Sequence, residues 1–151
     1  MIDPAPPTAD APPPSAADYG RSLRGLGVNL IVRDVSRAVH FACHVLGASL
    51  RFRTDAFAAL QLGGHDFMVH LPSSYRGNEL YGTLTSDAPR GVGIELRCYG
   101  VDPDGAETRA RMLGYTVLAG TIDKPHGLRE CMLVDDDGFV WIPSCHTKPE
   151  S

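Results

Sequence analysis

No two of the four cysteines, Cys43, Cys98, Cys131 and Cys145, stand close enough to make a C-x-x-C pair. That excludes a zinc ribbon and a dithiol redox motif, and reduced thiols are expected. Nor is there a cluster of positive charge: the 14 basic residues are scattered and the formal net charge is -4. The chain therefore lacks the footprint of a nucleic-acid binder, and anionic membrane surfaces are disfavoured for the same reason. No apolar run approaches the length of a membrane span. Before Arg21 there is no Lys or Arg and no apolar stretch, only Asp3, Asp10 and Asp18 among the charged residues. A standard secretory signal is excluded and a cytoplasmic protein is the expectation. Nucleophile signatures are missing too: there is no G-x-S-x-G, and Cys43 beside His44 and Cys145 beside His146 are chain neighbours rather than pairs facing across a site.

What remains is a chain of 151 residues with 43% apolar content, enough for one domain with a real core or for two small halves that share one. Residues 1 to 20, "MIDPAPPTADAPPPSAADYG", are mostly Pro, Ala and Asp, a composition too poor in apolar side chains to offset its ordering entropy. A flexible or polyproline-like arm is expected there; a proline-rich docking ligand built on "PAPP" is the sharper but less favoured alternative.

From residue 25 onward the chain repeats itself. "GLGVNLIV" at 25 to 32 matches "GVGIELRC" at 91 to 98, "HVLGASL" at 44 to 50 matches "RMLGYTV" at 111 to 117, and "DFMVHLPS" at 66 to 73 matches "GFVWIPS" at 138 to 144. Two copies of one unit, offset by 66 to 72 residues, explain all three pairs. Within each unit Val28, Leu30 and Val32, and Ile94, Leu96 and Cys98, alternate with more polar neighbours as in a half-buried strand. A helix follows, capped by Asp34 or Ser36 in the first copy and by Asp102 in the second, and stopped by Gly47 and Gly114. Three short strands come next: roughly 48 to 53, 56 to 62 and 66 to 71, then 115 to 119, 128 to 134 and 139 to 143. The unit is β-α-β-β-β, twice, an α+β fold.

"VNLIVRDVSRAVHFACHVLGASL" and "DKPHGLRE...DDDGFVW" resemble the opening and closing segments of the vicinal-oxygen-chelate superfamily, the glyoxalases, bleomycin-resistance proteins and extradiol dioxygenases. The likeness covers about residues 25 to 145. It implies two β-α-β-β-β modules, about 25 to 86 and 91 to 147, forming a curved mixed sheet around a cavity with helices outside. It also implies a homodimer. Fold alone does not give the chemistry.

Metal-dependent members of that superfamily resemble one another in four ligand positions. Carried over, these fall on Gly27, Gln61, Gly93 and Ile142, none a good donor to a divalent ion. His40 and His44 stand one helical turn apart without the carboxylate of an H-E-x-x-H motif and are expected at the surface. Asp135, Asp136 and Asp137 lack the alternating spacing of a calcium loop and are expected to form a turn. With Gly27 and Gly93 at the cavity-facing positions that the resemblance implies, strand parity puts Asn29, Ile31, Glu95, Arg97, Val140 and Ile142 on the cavity face and Phe139 and Trp141 toward the helices. His126 lies in the loop that rims the cavity in the family, and Glu130, in the following strand, either faces the cavity or pairs with the neighbours of Arg129.

The residues expected to line a ligand cavity are therefore Asn29, Ile31, Gln61, Glu95, Arg97, His126, Glu130 and Ile142. The resulting expectation is a metal-free protein that sequesters a small organic ligand. The alternative is a metal-dependent lyase, isomerase or dioxygenase with zinc, manganese, iron or nickel on a displaced set, Glu95, Glu130 and His70 or His126.

Overall fold

Both β-α-β-β-β units form, as seen in a computed structural model that describes residues 12–77, 79–80 and 90–147. A short helix, α1 (Ala16–Ser22), precedes them. The first unit runs β1 (Asn29–Ile31), α2 (Val35–Phe41), β2 (Ser49–Arg53), β3 (Phe57–Leu62) and β4 (His65–His70). The second runs β5 (Glu95–Tyr99), α3 (Pro103–Met112), β6 (Thr116–Asp123), β7 (Leu128–Val134) and β8 (Val140–His146). They make two four-stranded mixed sheets, ordered β1-β4-β3-β2 and β5-β8-β7-β6. In each, the first strand of the unit is parallel to the last and the other pairs are antiparallel. Bulges between Leu50 and Phe52 in β2 and at two places in β6 bend the outer strands.

The helix signals act as expected. Asp34, rather than Ser36, caps α2 by accepting from the Arg37 N–H, and Asp102 caps α3 through Asp104 and Gly105 with Pro103 in the first turn. Gly47 and Gly114 close the two helical segments at φ +79° and +80°, a backbone state that favours glycine. A feature the sequence does not announce is a π turn, Ala42–Leu46, that continues α2. The Val45 carbonyl, one residue before its end, accepts from Arg109 Nε at 3.0 Å and Nη2 at 2.8 Å, so α3 of the second unit satisfies a carbonyl at the end of the first unit's helix.

The two units share one core on the helix side of both sheets. Ala106 and Ala110 of α3 are fully buried, small enough to let the helix approach its sheet. Phe41 and Phe67 from the first unit meet Trp141 from the second at 6.1 and 5.6 Å between ring centres. Trp141 is thus core, as its parity predicts. The triple aspartate does more than turn the chain. Asp135 accepts from the backbone N–H of Asp137 and Phe139 and from Trp141 Nε1. Asp137 accepts from the Arg33 backbone N–H at 2.8 Å and from its guanidinium at 3.3 Å, and Asp136 pairs with Arg37 at 3.1 Å. One carboxylate organises the turn and the other two fasten it to the first unit.

Of the segment read as an arm, residues 1–11, including "PAPP", lie outside the described residues. The rest is not a bare linker: Ser15 caps α1, and Tyr19 is buried. Burying one large ring contributes about 1.5–3 kcal/mol, whereas ordering the backbone costs about 1–2 kcal/mol per residue. Seven residues fixed through one ring make a lightly held element.

Candidate ligand-binding site

Strand register defines the sheet faces turned away from the helices. On the first sheet Ile31, His70 and Phe57 lie in one row and Asn29, Met68 and Ala59 in the next. Gln61 follows, paired in register with Asp66, to which it donates a hydrogen bond at 3.2 Å. On the second sheet Tyr99, Ser144 and Glu130 lie in one row, with Arg97 beside Ile142 and Glu95 beside Val140. The eight residues expected from sequence therefore divide: Asn29, Ile31 and Gln61 go to the first face, and Glu95, Arg97, Glu130 and Ile142 to the second, with His126 at its rim.

The second face carries the densest chemistry. Glu130 is 4% exposed. The Arg97 guanidinium bonds it directly through Nη2 and reaches Glu95 at 3.2 Å through Nη1. Two more nitrogens approach the same carboxylate: His126 Nε2 at 3.6 Å and Lys124 Nζ at 4.0 Å. The "DKPHG" turn places them there. Lys124 accepts from the Gly127 N–H at 3.1 Å, with Pro125 and His126 at the corners and Gly127 at φ +82°. The Lys124 N–H donates to Leu128 at 2.7 Å, closing the hairpin over Glu130. Arg97 also lies 5.9 Å from the centre of the Tyr99 ring, within the range of a cation–π contact. Ser144, cross-strand from Glu130, is fully buried, and its hydroxyl has no partner among the described residues.

Sequence reasoning missed Lys124, Tyr99 and Ser144. The signal for the last two was present, since Tyr99 continues the alternation of Glu95 and Arg97 and Ser144 that of Val140 and Ile142. Lys124 became visible only once the turn folded back.

The family's metal positions do not fit a metal here. Gly27 stands seven residues before the capping Asp34, and the residue in that relation to Asp102 is Glu95, not Gly93 as the sequence match placed it. Even so, Glu95 is held by Arg97, Gln61 is held by Asp66, and Ile142 offers no donor. Of the displaced set, Glu95, Glu130 and His126 come together, but around the Arg97 guanidinium, which takes up both carboxylates. His70 sits on the other sheet between Phe57 and Tyr75. Among the described residues no three His, Cys, Asp or Glu side chains are grouped to hold a metal ion.

The other histidines are peripheral: His40 shares a 2.8 Å hydrogen bond with the Tyr115 hydroxyl and stacks near His44 on the helix surface. A hollow of about 420 Å³ opens there, lined by Arg37, His40, Tyr115 and Asp136 among others. It follows the seam between the units, and the buried carboxylate is not in it. Burial pushes the Cys98 thiol up to about 12 and the Cys131 thiol up to about 11, which makes both inert structural thiols.

No family model and no curated protein matches the chain. Solved structures do. A glyoxalase-related enzyme from Fulvimarina pelagi superposes with a TM-score of 0.65 at 17% identity, covering 82% of this chain and 88% of that one. A glyoxalase/bleomycin resistance protein/dioxygenase family enzyme from Burkholderia phytofirmans PsJN gives 0.67 at 18% identity over 80% and 97%. TioX from Micromonospora sp. ML1 gives 0.60 at 26% identity over 82% and 99%. The chain has the glyoxalase/bleomycin-resistance/dioxygenase fold. No helix among the described residues is long and apolar enough to cross a membrane.

Proposed function

We propose that this protein binds a small, partly polar organic molecule on the outer face of the second sheet, without making or breaking bonds in it. The observation that carries the reading is the nearly buried Glu130 met by Arg97, Lys124 and His126. An ion cluster on an otherwise apolar sheet face costs desolvation that replacement by hydrophobic residues would avoid. Such a cluster is retained where it does a task, and here it frames Ile142 and the unpartnered Ser144 hydroxyl. The mixture of apolar floor and a few placed polar groups is that of a small-molecule site.

Beside the cluster, Tyr99 and Ile122 are 64% and 52% exposed. Apolar surface of this kind marks an interaction face, and a second copy of the chain is its proposed cover, giving a homodimer with its sites at or near the interface. The four unpaired thiols are consistent with a reducing, cytoplasmic setting.

The test uses anilinonaphthalene sulfonate, an aromatic anion, as probe on the full chain. Wild type is expected to bind it and Arg97→Ala to bind it about tenfold more weakly, a loss of about 1.4 kcal/mol. Equal binding by the two, with the variant folded by circular dichroism, removes the second face as the site. Sedimentation equilibrium tests the dimer, and a monomer at micromolar concentration refutes it.

A further inference from the structure

The first unit's helix carries two imidazoles that the site on the second sheet does not use. His40 is the last residue but one of α2, and His44 lies within the π turn, Ala42–Leu46, that continues it. Residues four apart on a helix are surface neighbours, and π turns are rare and occur often at functional positions. Both side chains are exposed. Their ring centres stand 4.6 Å apart, with the planes at 43°.

That separation suits two rings on one metal ion. A metal–nitrogen bond of about 2.0–2.1 Å, with about 1.1 Å more to the ring centre, puts two imidazoles bound cis at about 90° roughly 4.5 Å apart. At a tetrahedral angle the same bonds give roughly 5.2 Å. The observed 4.6 Å therefore fits the tetragonal geometry of Cu²⁺ or Ni²⁺ better than the tetrahedral one of zinc. The tilt of the planes imposes no further condition, because each ring turns about its own metal–nitrogen bond. The nitrogens suit the task as well. His40 Nδ1 lies 2.8 Å from the Tyr115 hydroxyl. With that hydroxyl accepting, Nδ1 holds the proton and Nε2 presents its lone pair, and a bond of this kind behind a ligating imidazole fixes its tautomer and orientation. His44 makes no hydrogen bond among the described residues. Cys43, between them in sequence, packs against the core, and its thiol meets the Leu50 backbone. Arg37 and Asp136, which line the seam hollow with His40, pair with each other and add no net charge beside a cation.

We propose that His40 and His44 form a surface site for Cu²⁺ or Ni²⁺, with water in the remaining positions and the Tyr115 hydroxyl holding His40 from behind. Tyr115 immediately precedes β6, so an ion bound by the first unit is linked through His40 to the second. The inference does not depend on the charged cluster of the second sheet.

The probe is Ni²⁺ alone, titrated calorimetrically into the full, untagged chain; unlike Cu²⁺ it does not oxidise the half-buried thiols of Cys43 and Cys145. Wild type is expected to bind one ion at micromolar concentration, and to bind Zn²⁺ more weakly. His40→Ala and His44→Ala each leave a single imidazole and are each expected to weaken Ni²⁺ binding about tenfold or more. Tyr115→Phe keeps both ligands and removes only the bond behind His40, so a loss of about tenfold is expected. His65→Ala, at an exposed strand end, is expected to bind as wild type does. Circular dichroism checks that each variant is folded. No binding by wild type, or wild-type affinity in either His40→Ala or His44→Ala, refutes the site, and an equal loss in His65→Ala refutes its assignment to these two residues. Tyr115→Phe that binds as wild type refutes the role of Tyr115, and Zn²⁺ bound more tightly than Ni²⁺ refutes the tetragonal geometry.

Discussion

Three adjacent aspartates in one turn hold three different structural positions, and removing each is expected to cost a different amount. Asp135→Ala deprives the Asp137 and Phe139 backbone N–H groups and the Trp141 indole of their acceptor. Each unsatisfied buried donor costs about 1–3 kcal/mol, and partial rehydration of an opened turn recovers some of it, so a loss of about 3 kcal/mol or more is expected. Asp137→Ala leaves Arg33 without this partner for its backbone N–H and one contact of its guanidinium. The carboxylate is only 5% exposed while the guanidinium is 44% exposed, so water compensates one side alone; about 2 kcal/mol is expected for a charge-assisted bond of this kind. Asp136→Ala removes a pair whose side chains are 33% and 66% exposed, worth about 0–1 kcal/mol. Urea unfolding followed by the fluorescence of the single tryptophan reads all three, because Trp141 lies beside the turn. Equal midpoints for the three variants, or a smaller loss for Asp137→Ala than for Asp136→Ala, would refute the assignment of Asp137 as the clamp between units.

Acid should separate Asp135 further. Burial raises its carboxyl above the ordinary aspartate range, so between the unfolded and the folded value the native state holds more proton and stability falls as pH rises. The advantage of wild type over Asp135→Asn is therefore expected to be larger at pH 4 than at pH 7, and unfolding curves at the two values check it. Gly91→Ala is expected to destabilise by about 2 kcal/mol or more, since its Cβ would stand 2.3 Å from the Gly138 carbonyl oxygen at a φ of +69°; Gly64→Ala, at φ +80° with open space around it, is the milder control at about 1 kcal/mol. Thiol titration with a disulfide reagent at pH 8 is expected to leave Cys98 and Cys131 unmodified until the chain unfolds, and rapid reaction of all four thiols in native buffer would contradict the packing of α3 on its sheet.

How much of this was legible in sequence depends on how local the cause is. The capping aspartates, the stop glycines and the parity of Val140 to Ile142 are set by a few neighbouring residues, and the structure keeps them. Glu95, Arg97, His126 and Glu130 were each proposed separately, and they meet because their strands and turn converge in the second unit. The clamp was not legible, because Arg33 and Asp137 lie 104 residues apart and their contact depends on how one unit packs on the other. Composition misread the end of the arm for a similar reason: a Pro- and Ala-rich segment carries no amphipathic stripe, and Tyr19 is ordered only by a shelf that β2, β3 and β4 assemble later. The repeat itself misled at one point. Matching glycine to glycine aligned Gly27 with Gly93, whereas the helix caps align it with Glu95.

That last alignment shows how far the two faces have diverged. The row Ile31, His70, Phe57 in the first sheet and the row Tyr99, Ser144, Glu130 in the second occupy the same place in their units. One row is apolar and aromatic, and the other is polar and charged. Yet the middle position of each carries buried polar atoms with no partner among the described residues, His70 in one and Ser144 in the other. A packing defect would not be expected to recur at equivalent positions with unrelated side chains. A requirement for a hydrogen-bonding group at the centre of each face explains the coincidence, and it separates the two replacements. Ser144→Ala is expected to be neutral or stabilising, since it removes an unpaired hydroxyl, while weakening the probe on the second face. His70→Phe is expected to be neutral or stabilising for the same reason. If either replacement instead destabilises the chain by about 2 kcal/mol, as loss of a buried hydrogen bond with its partner left behind would do, the group is structural and the face it centres is not a site.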